Sequence, residues 1–317
     1  MDQIVVFLDL LGFTQVINDS SESAKSKMDA YESIIIMKKV NYEKSTYQSK
    51  DPQSIQLNEP NLATTFKYFI PTSDSIFISS DIDKKDKFIL QLCHFLYNSY
   101  IVYSNKYENP QDIDEATKGD GLLAKRNYSP CLFRGGLSTG DCEPYKQSRI
   151  INNKISDDCC NLVGKAVEKA VHLEGIVDGP RIVIRKKDYD NFGNNIKSRY
   201  FREIEKNELK NPKVDETYYE LLWPAIMFIK DNGIDREINN LDSMLKGVYN
   251  LRKSKSNNGA DRHYDAFMNL IYNSILTFWE NEDKAKKHVD SLKEKYCTEK
   301  NVLNVIQKWW NKLKAII

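Results

Sequence analysis

Asp9 stands at the end of a short apolar run, Ile4-Val5-Val6-Phe7-Leu8. A run of this length reads as a buried strand. A carboxylate at such a place costs desolvation free energy unless a cation neutralises it. Leu10, Leu11, Gly12 and Phe13 follow. A glycine three residues past the acid lets the backbone turn tightly and its amides approach a ligand closely. Strand, aspartate and tight turn together put a divalent-cation ligand beside a phosphate cradle. The arrangement returns downstream. Residues 66–70 are apolar and aromatic with one Lys, Pro71-Thr72-Ser73-Asp74-Ser75 follows, and then Ile76-Phe77-Ile78. This predicts two strands joined by a turn with Asp74 at its tip. If the strands are neighbours, Asp9 and Asp74 converge. Two carboxylates bridging two divalent ions about 3.5–4 Å apart make a phosphoryl-transfer site. A single Asp at a strand end serves as readily in a turn or a helix cap. The pair, each on its own hydrophobic strand, is the stronger signal.

The elements that must position these acids follow from periodicity and punctuation. The pattern predicts helices over 20–40 and 85–103, a strand over 131–138, a helix over 162–177, a strand over 181–184, a helical turn at 188–192 and a strand over 218–222. Residues 41–61 and 105–128 are polar and read as loops. Residues 141–160 read as irregular, and 193–215 give no clear pattern. From Gly233 onward the character is helical, broken at Ser254-Lys255-Ser256-Asn257-Asn258-Gly259 and ending in Trp309-Trp310 with Leu313, Ile316 and Ile317. No internal repeat is visible.

In this order the motifs resemble class III nucleotidyl cyclases. Phe7-Leu8-Asp9-Leu10-Leu11-Gly12-Phe13-Thr14 is similar to that family's first metal motif, and Ser73-Asp74-Ser75 to its second. Phe133-Arg134-Gly135-Gly136-Leu137-Ser138-Thr139-Gly140 resembles the following strand and turn. Gly164 to Glu174 resembles the helix that carries the transition-state residues. Arg-Gly-Gly, Gly-x-Ala, Ala-x-x-Leu-Glu and Pro180-Arg181-Ile182 are most similar to bacterial Pycsar-type pyrimidine cyclases. The likeness covers roughly residues 1–185, and motifs in sequence order are more specific than any one alone.

The resemblance implies a mixed α/β (α+β) fold, a ferredoxin-like palm sheet with helices on one face, over 1–225, plus a helical extension over 226–317. It implies Asp9 and Asp74 as ligands of two Mg²⁺ or Mn²⁺ ions. It implies the backbone of Leu10, Leu11, Gly12 and Phe13 as phosphate cradle, Arg134 and Lys165 as triphosphate contacts, Asn161 as base reader and His172 as a catalytic helix residue. Arg134 reads equally as a turn-structuring residue, and Lys165 as a surface residue. A homodimer with shared sites and a separate effector that senses the cyclic nucleotide are implied as well.

Two departures stand out. The family's helix carries Asn and, four residues on, Arg; here these are Glu168 and His172. They still share one helical face, but an ionised Glu donates no hydrogen bond and His is a weaker, titrating cation. Purine cyclases place a charged base reader where this chain has Ile70. Asn161 offers both a donor and an acceptor, which suits a uracil or a cytosine edge. The expected substrate is therefore a pyrimidine nucleoside triphosphate, UTP ahead of CTP, with a second-messenger role in antiphage defence. Two other classes stay open: a degenerate cyclase that binds nucleotide or scaffolds a partner without turnover, and another palm enzyme such as a dinucleotide cyclase or polymerase. The second needs an adjacent pair of acids that Thr72-Ser73-Asp74-Ser75 lacks.

Bulk properties set bounds. The chain has 317 residues, 46 basic against 45 acidic, for a net charge of +1. Duplex nucleic acid is not expected as a partner, since phosphate neutralisation needs a basic excess or patch. No apolar run approaches the roughly 20 residues that span a bilayer, and the first ten residues lack a basic n-region, so no membrane association and a cytoplasmic location are expected. Cys93, Cys131, Cys142, Cys159, Cys160 and Cys297 form no C-x-x-C pair, and the four histidines add no zinc spacing. Reduced thiols fit that compartment.

Overall fold

The computed structural model describes residues 2–13, 25, 27–32, 34–35, 65–104, 131–151, 154–228, 244, 247–248, 251 and 261–279. Strand β1 (Asp2–Leu10) alternates strictly: Ile4, Val6, Leu8 and Leu10 point to one face, Val5, Phe7 and Asp9 to the other. Around it lie β2 (Tyr68–Thr72), β3 (Ser75–Asp81), β4 (Phe133–Asp141), β7 (Ile182–Arg185), β8 (Phe201–Glu203) and β9 (Tyr218–Leu221). They form a seven-stranded sheet in the order β2-β3-β1-β4-β7-β9-β8. All neighbours are antiparallel except β4 and β7. Pro71 sits on β2, an edge strand, where a missing amide breaks no central ladder.

The face of Ile4, Val6, Leu8 and Leu10 is covered by α1 (Lys85–Ser104) through Phe88, Leu92 and Phe95, by Tyr31 and Ile34 of the helical stretch near residue 30, and by α5 (Asp261–Trp279) through Phe267, Leu270 and Ile271. Tyr100 donates to the Met244 carbonyl at 2.7 Å, and Trp223 to that of Pro180 at 2.9 Å. Residues from both sides of position 225 thus share one core. The opposite face carries α2 (Lys165–Glu174), whose Ala166 and Ala170 pack with Val5, Ile70, Cys142 and Leu162. Leu173 packs with Val177 and Val183.

The mixed α/β palm class expected from the sequence holds. The helices, however, cover both faces rather than one. The cause is visible in β1, which is apolar on both sides and so needs two covers. Two shorter helices, α3 (Lys186–Tyr189) and α4 (Asn194–Tyr200), precede β8.

Two further differences concern 141–177. The stretch read as irregular forms a hairpin of β5 (Glu143–Ile151) and β6 (Lys154–Val163). These strands pair only with each other, so their ladder needs no apolar stripe for periodicity to detect. The motif helix begins at Lys165, not at 162, because Leu162 still belongs to β6 and is buried among the residues under α2. The expected loops at 41–61 and 105–128, the breaker at 254–259 and the apolar tail with Trp309 and Trp310 lie outside the described residues. Among the described residues no helix is long and apolar enough to cross a membrane.

Candidate active site

Antiparallel pairing puts Asp9 opposite Ser75 on one side and opposite Arg134 on the other. Asp74 immediately precedes Ser75 in the β2–β3 turn, where Ser73 takes a left-handed φ of 49°. The turn is fastened to the end of β1, since the Leu10 amide donates to the Asp74 carbonyl at 2.9 Å. The sheet thus brings the two expected acids to the same end of adjacent strands. Tyr31 reports on both. Its phenol is buried and donates to the Ser75 carbonyl at 2.8 Å. Burial pushes its pKa well above the ordinary value, and the charges of Asp74, Cys131 and Asp9 push it further.

Asp9 is held from both neighbours. Ser75 Oγ donates to its Oδ1 at 3.1 Å. Arg134 Nε and Nη2 each donate to its Oδ2 at 3.0 Å. The same guanidinium is ion-paired with Glu174 Oε1 at the end of α2. Burial raises the Glu174 pKa, Arg134 opposes that, and Asp9 adds to it. Two carboxylates therefore share one guanidinium, and Asp9 is already an oxygen ligand with a cation seated on it. Carboxylate oxygens on two adjacent strand ends suit a hard divalent cation. The donor set fits Mg²⁺ or Mn²⁺, with Asp9 and Asp74 as the residues that would hold them. Among the described residues no cluster of three or more His, Cys, Asp or Glu side chains accompanies them.

The expected phosphate cradle is narrower than the sequence suggests. The Leu10 amide is used by Asp74, and the Leu11 amide donates to the Leu132 carbonyl at 2.8 Å. Leu10 and Leu11 thus fix the turn instead of offering amides to a ligand. Of the expected cradle, the Gly12 and Phe13 amides remain. Gly12 takes φ +79°, a backbone that L side chains rarely adopt, which explains its place in the motif.

The second set lies on another part of the fold. Asn161 sits near the end of β6 opposite Tyr145, beside an irregularity of register between Tyr145 and Lys146. Its side-chain oxygen accepts the Leu162 amide at 2.8 Å. The Lys165 amide donates to Asp141 Oδ2 at 3.3 Å, and its side chain is exposed. His172 is exposed, with Nε2 3.9 Å from Glu168 Oε1 across one helical turn. Arg134 joins the first set through Asp9, while Lys165 and His172 face solvent on α2. Glu174, Tyr31 and Ser75 had no role assigned from the sequence. Helical spacing could have found Glu174. It follows Ala170 by four residues on a helix whose Ala166, Ala170 and Leu173 are buried, so an acid at the edge of that face needs a cation.

No protein-family profile matches the chain, and no curated protein matches it in sequence. Solved structures give low-scoring likenesses. A bacterial light-regulated adenylyl cyclase aligns with 70% of this chain and 52% of its own, so the alignment spans about half of that protein, at 13% identity and TM-score 0.42. An adenylate cyclase from Trypanosoma brucei in its monomeric state aligns over 69% of this chain and 87% of its own, at 12% identity and TM-score 0.38. The guanylyl cyclase Cya2 aligns over 70% and 92%, at 14% identity and TM-score 0.37.

Proposed function

We propose that the protein is a metal-dependent nucleotidyl cyclase that converts a pyrimidine nucleoside triphosphate, UTP before CTP, to its 3′,5′-cyclic nucleotide and pyrophosphate. The observation that carries this reading is the fastening of the Asp74 turn to the end of β1, which brings the Asp9 and Asp74 strand ends side by side. In the reaction the ribose 3′-oxygen forms a bond to the α-phosphorus, the bond to the pyrophosphate oxygen breaks, and the 3′-hydroxyl proton leaves to solvent. Two divalent cations bound at Asp9 and Asp74 would supply Lewis acidity toward the hydroxyl and the triphosphate. The chain's own part is positional. Gly12 and Phe13 turn the backbone toward phosphate, Ser75 orients Asp9, and Arg134, one strand away, balances the charge of Asp9.

The pyrimidine preference rests on Ile70 and Asn161. Ile70 is packed in the apolar cluster under α2, so no charged group at that position reads a purine edge. Shared sites in a homodimer are favoured by the separation of the acid set from Asn161, Lys165 and His172. Exposed Tyr145, Val163 and Val171 lie on the same hairpin and helix as that second set. A role in antiphage defence and a separate effector come from the resemblance alone.

The test is turnover of each nucleoside triphosphate with Mn²⁺, with products separated by chromatography. UTP is expected to cyclise fastest, and Asp9→Asn or Asp74→Asn to abolish it. Near-normal activity in either variant at saturating Mn²⁺ refutes the site, and ATP or GTP as best substrate refutes the base preference. If a well-folded protein turns over no nucleotide yet binds one, the degenerate-cyclase reading replaces this one. Mixing inactive Asp9→Asn and Asn161→Ala chains should restore activity, up to about half per dimer, if subunits exchange and sites are shared.

A further inference from the structure

The Arg134 guanidinium is a cation standing where the reading above puts another. Nε and Nη2 both donate to Asp9 Oδ2, and the same Nε contacts Glu174 Oε1. One N–H cannot serve two carboxylates well. The cluster has two acids and one base. A dication at Asp9 would leave the guanidinium facing a like charge, with Glu174 as its remaining partner. All three side chains are partly open, at 19% exposure for Asp9, 20% for Glu174 and 31% for Arg134, so the exchange needs no rupture of the core.

We propose that Arg134 is an internal counter-ion that occupies Asp9 in the metal-free protein, and that Glu174 is the positioning residue that takes Arg134 when a divalent cation claims Asp9. Glu174 touches neither substrate nor metal in this scheme. It acts only through Arg134. This rests on Asp9 being a metal ligand.

The test is Mn²⁺ affinity, read by calorimetry or by the spin-resonance signal of free Mn²⁺, without nucleotide. Arg134→Gln should bind Mn²⁺ about tenfold more tightly, the lower end of what a neighbouring guanidinium does to a carboxylate's hold on a competing cation. Glu174→Gln should bind severalfold more weakly, because Arg134 then has Asp9 alone. In the double variant the Glu174 effect should vanish, leaving the Arg134→Gln affinity. If Glu174→Gln weakens binding equally in both backgrounds, Glu174 acts by its own charge and the proposal is overturned. Weaker binding in Arg134→Gln overturns it too. If Arg134→Gln does not fold, Arg134→Lys takes its place; it keeps the charge, loses the fork, and should bind more tightly by a smaller factor. Asp9→Asn separates the two levels. Unchanged Mn²⁺ binding there refutes the site and this inference together. Lost binding with additive single effects refutes the inference alone.

Discussion

Gly136→Ala tests whether α2 is seated where the site needs it. A Cβ at this position would lie 2.1 Å from the Ala170 carbonyl oxygen and 2.4 Å from Leu173 Cβ. Real Cβ contacts do not fall below 3.0 Å, so helix and strand must part by 0.9 Å. The obstacle is main chain, fixed by the helix's own hydrogen bonds, and no rotamer change removes it. A gap of about 0.5–1 Å forfeits a quarter to a half of each contact's dispersion energy. Ala166, Ala170 and Leu173, all fully buried, would lose it together. Overpacking costs about 1–3 kcal/mol, and a backbone clash belongs at the top of that range. About 3 kcal/mol is two decades in the folding equilibrium. Urea unfolding followed by circular dichroism should show the midpoint falling by about 1 M at unchanged slope. Gly175→Ala is the control. It ends the same helix at φ −84° with nothing within 4 Å of its Cβ, and should change stability by no more than about 0.5 kcal/mol. Equal midpoints for the two variants would refute the seating of α2 on β4. The cyclase activity proposed above should fall further than the folded fraction of Gly136→Ala explains, since Glu174, the partner of Arg134, rides on the displaced helix.

Other outcomes follow from particular contacts. Glu220→Gln should cost about 3 kcal/mol, because it leaves the buried Arg181 with Glu208 alone, 3.6 Å away; Glu220 is 1% exposed and accepts from Arg181 and, at 2.7 Å, from Arg202 Nε. Lys67→Met, which breaks the half-exposed pair with Asp81, should cost less than about 1 kcal/mol in the same unfolding assay. Tyr31→Phe removes a buried hydrogen bond to Ser75 and should cost about 1 kcal/mol, and Mn²⁺ titration should show weaker binding as the Asp74 turn loosens. His263 accepts the Gly179 amide on Nδ1 at 3.0 Å, which requires the neutral ring. Burial lowers its pKa, Arg262, Arg134 and Lys210 act the same way, and Asp178 opposes them. The unfolded chain then binds a proton at about 6.5 that the folded one refuses. Stability from this group is therefore complete above that pH and falls as the pH drops toward the lowered folded value. Melting curves from pH 8 to 5 should show this loss, and His263→Gln should lack it.

The acids were legible because each sits where strand and turn chemistry coincide. Asp9 ends an apolar run, and Asp74 sits among Pro71, Thr72 and Ser73, which signal a turn without any partner strand being known. Their pairing was an inference, and the register of β1 with β3 supplied it. The β5–β6 hairpin was illegible because Lys146-Gln147-Ser148 and Ser156-Asp157-Asp158 read as loop residues, and the two strands pair with each other rather than with the main sheet. The start of α2 was misplaced for a related reason. Leu162 is apolar and buried like Ala166 four residues on, so the helical period extends backwards into a strand that shares the same cluster. The use of the Leu10 and Leu11 amides depends on Asp74 and Leu132, both distant in sequence, and no local pattern encodes it. Glu174 carries no sign of its pairing in the motif, because its partner Arg134 lies forty residues upstream on strand β4.

The protein uses arginine–carboxylate pairing in two places, and burial separates their roles. Arg181 and Glu220 are 5% and 1% exposed, and Arg202 and Glu208 close the network around them. Removing Glu220 there leaves the buried Arg181 with Glu208 alone at 3.6 Å, so separating the central pair is costly and the arrangement is fixed once folded. It joins β9 and β8 to the loop before β7, and its function is to set the far side of the sheet. Arg134, Asp9 and Glu174 have the same chemistry but reach solvent, and screening lowers the cost of separating them. One guanidinium shared by two acids has two nearly equivalent partners, which is the condition for exchange. An arrangement that only stabilised the fold would gain from deeper burial and a second base, as the Arg181 network has. Its openness and its excess acid suit the cation site proposed at the end of β1, where the Asp74 turn is fastened.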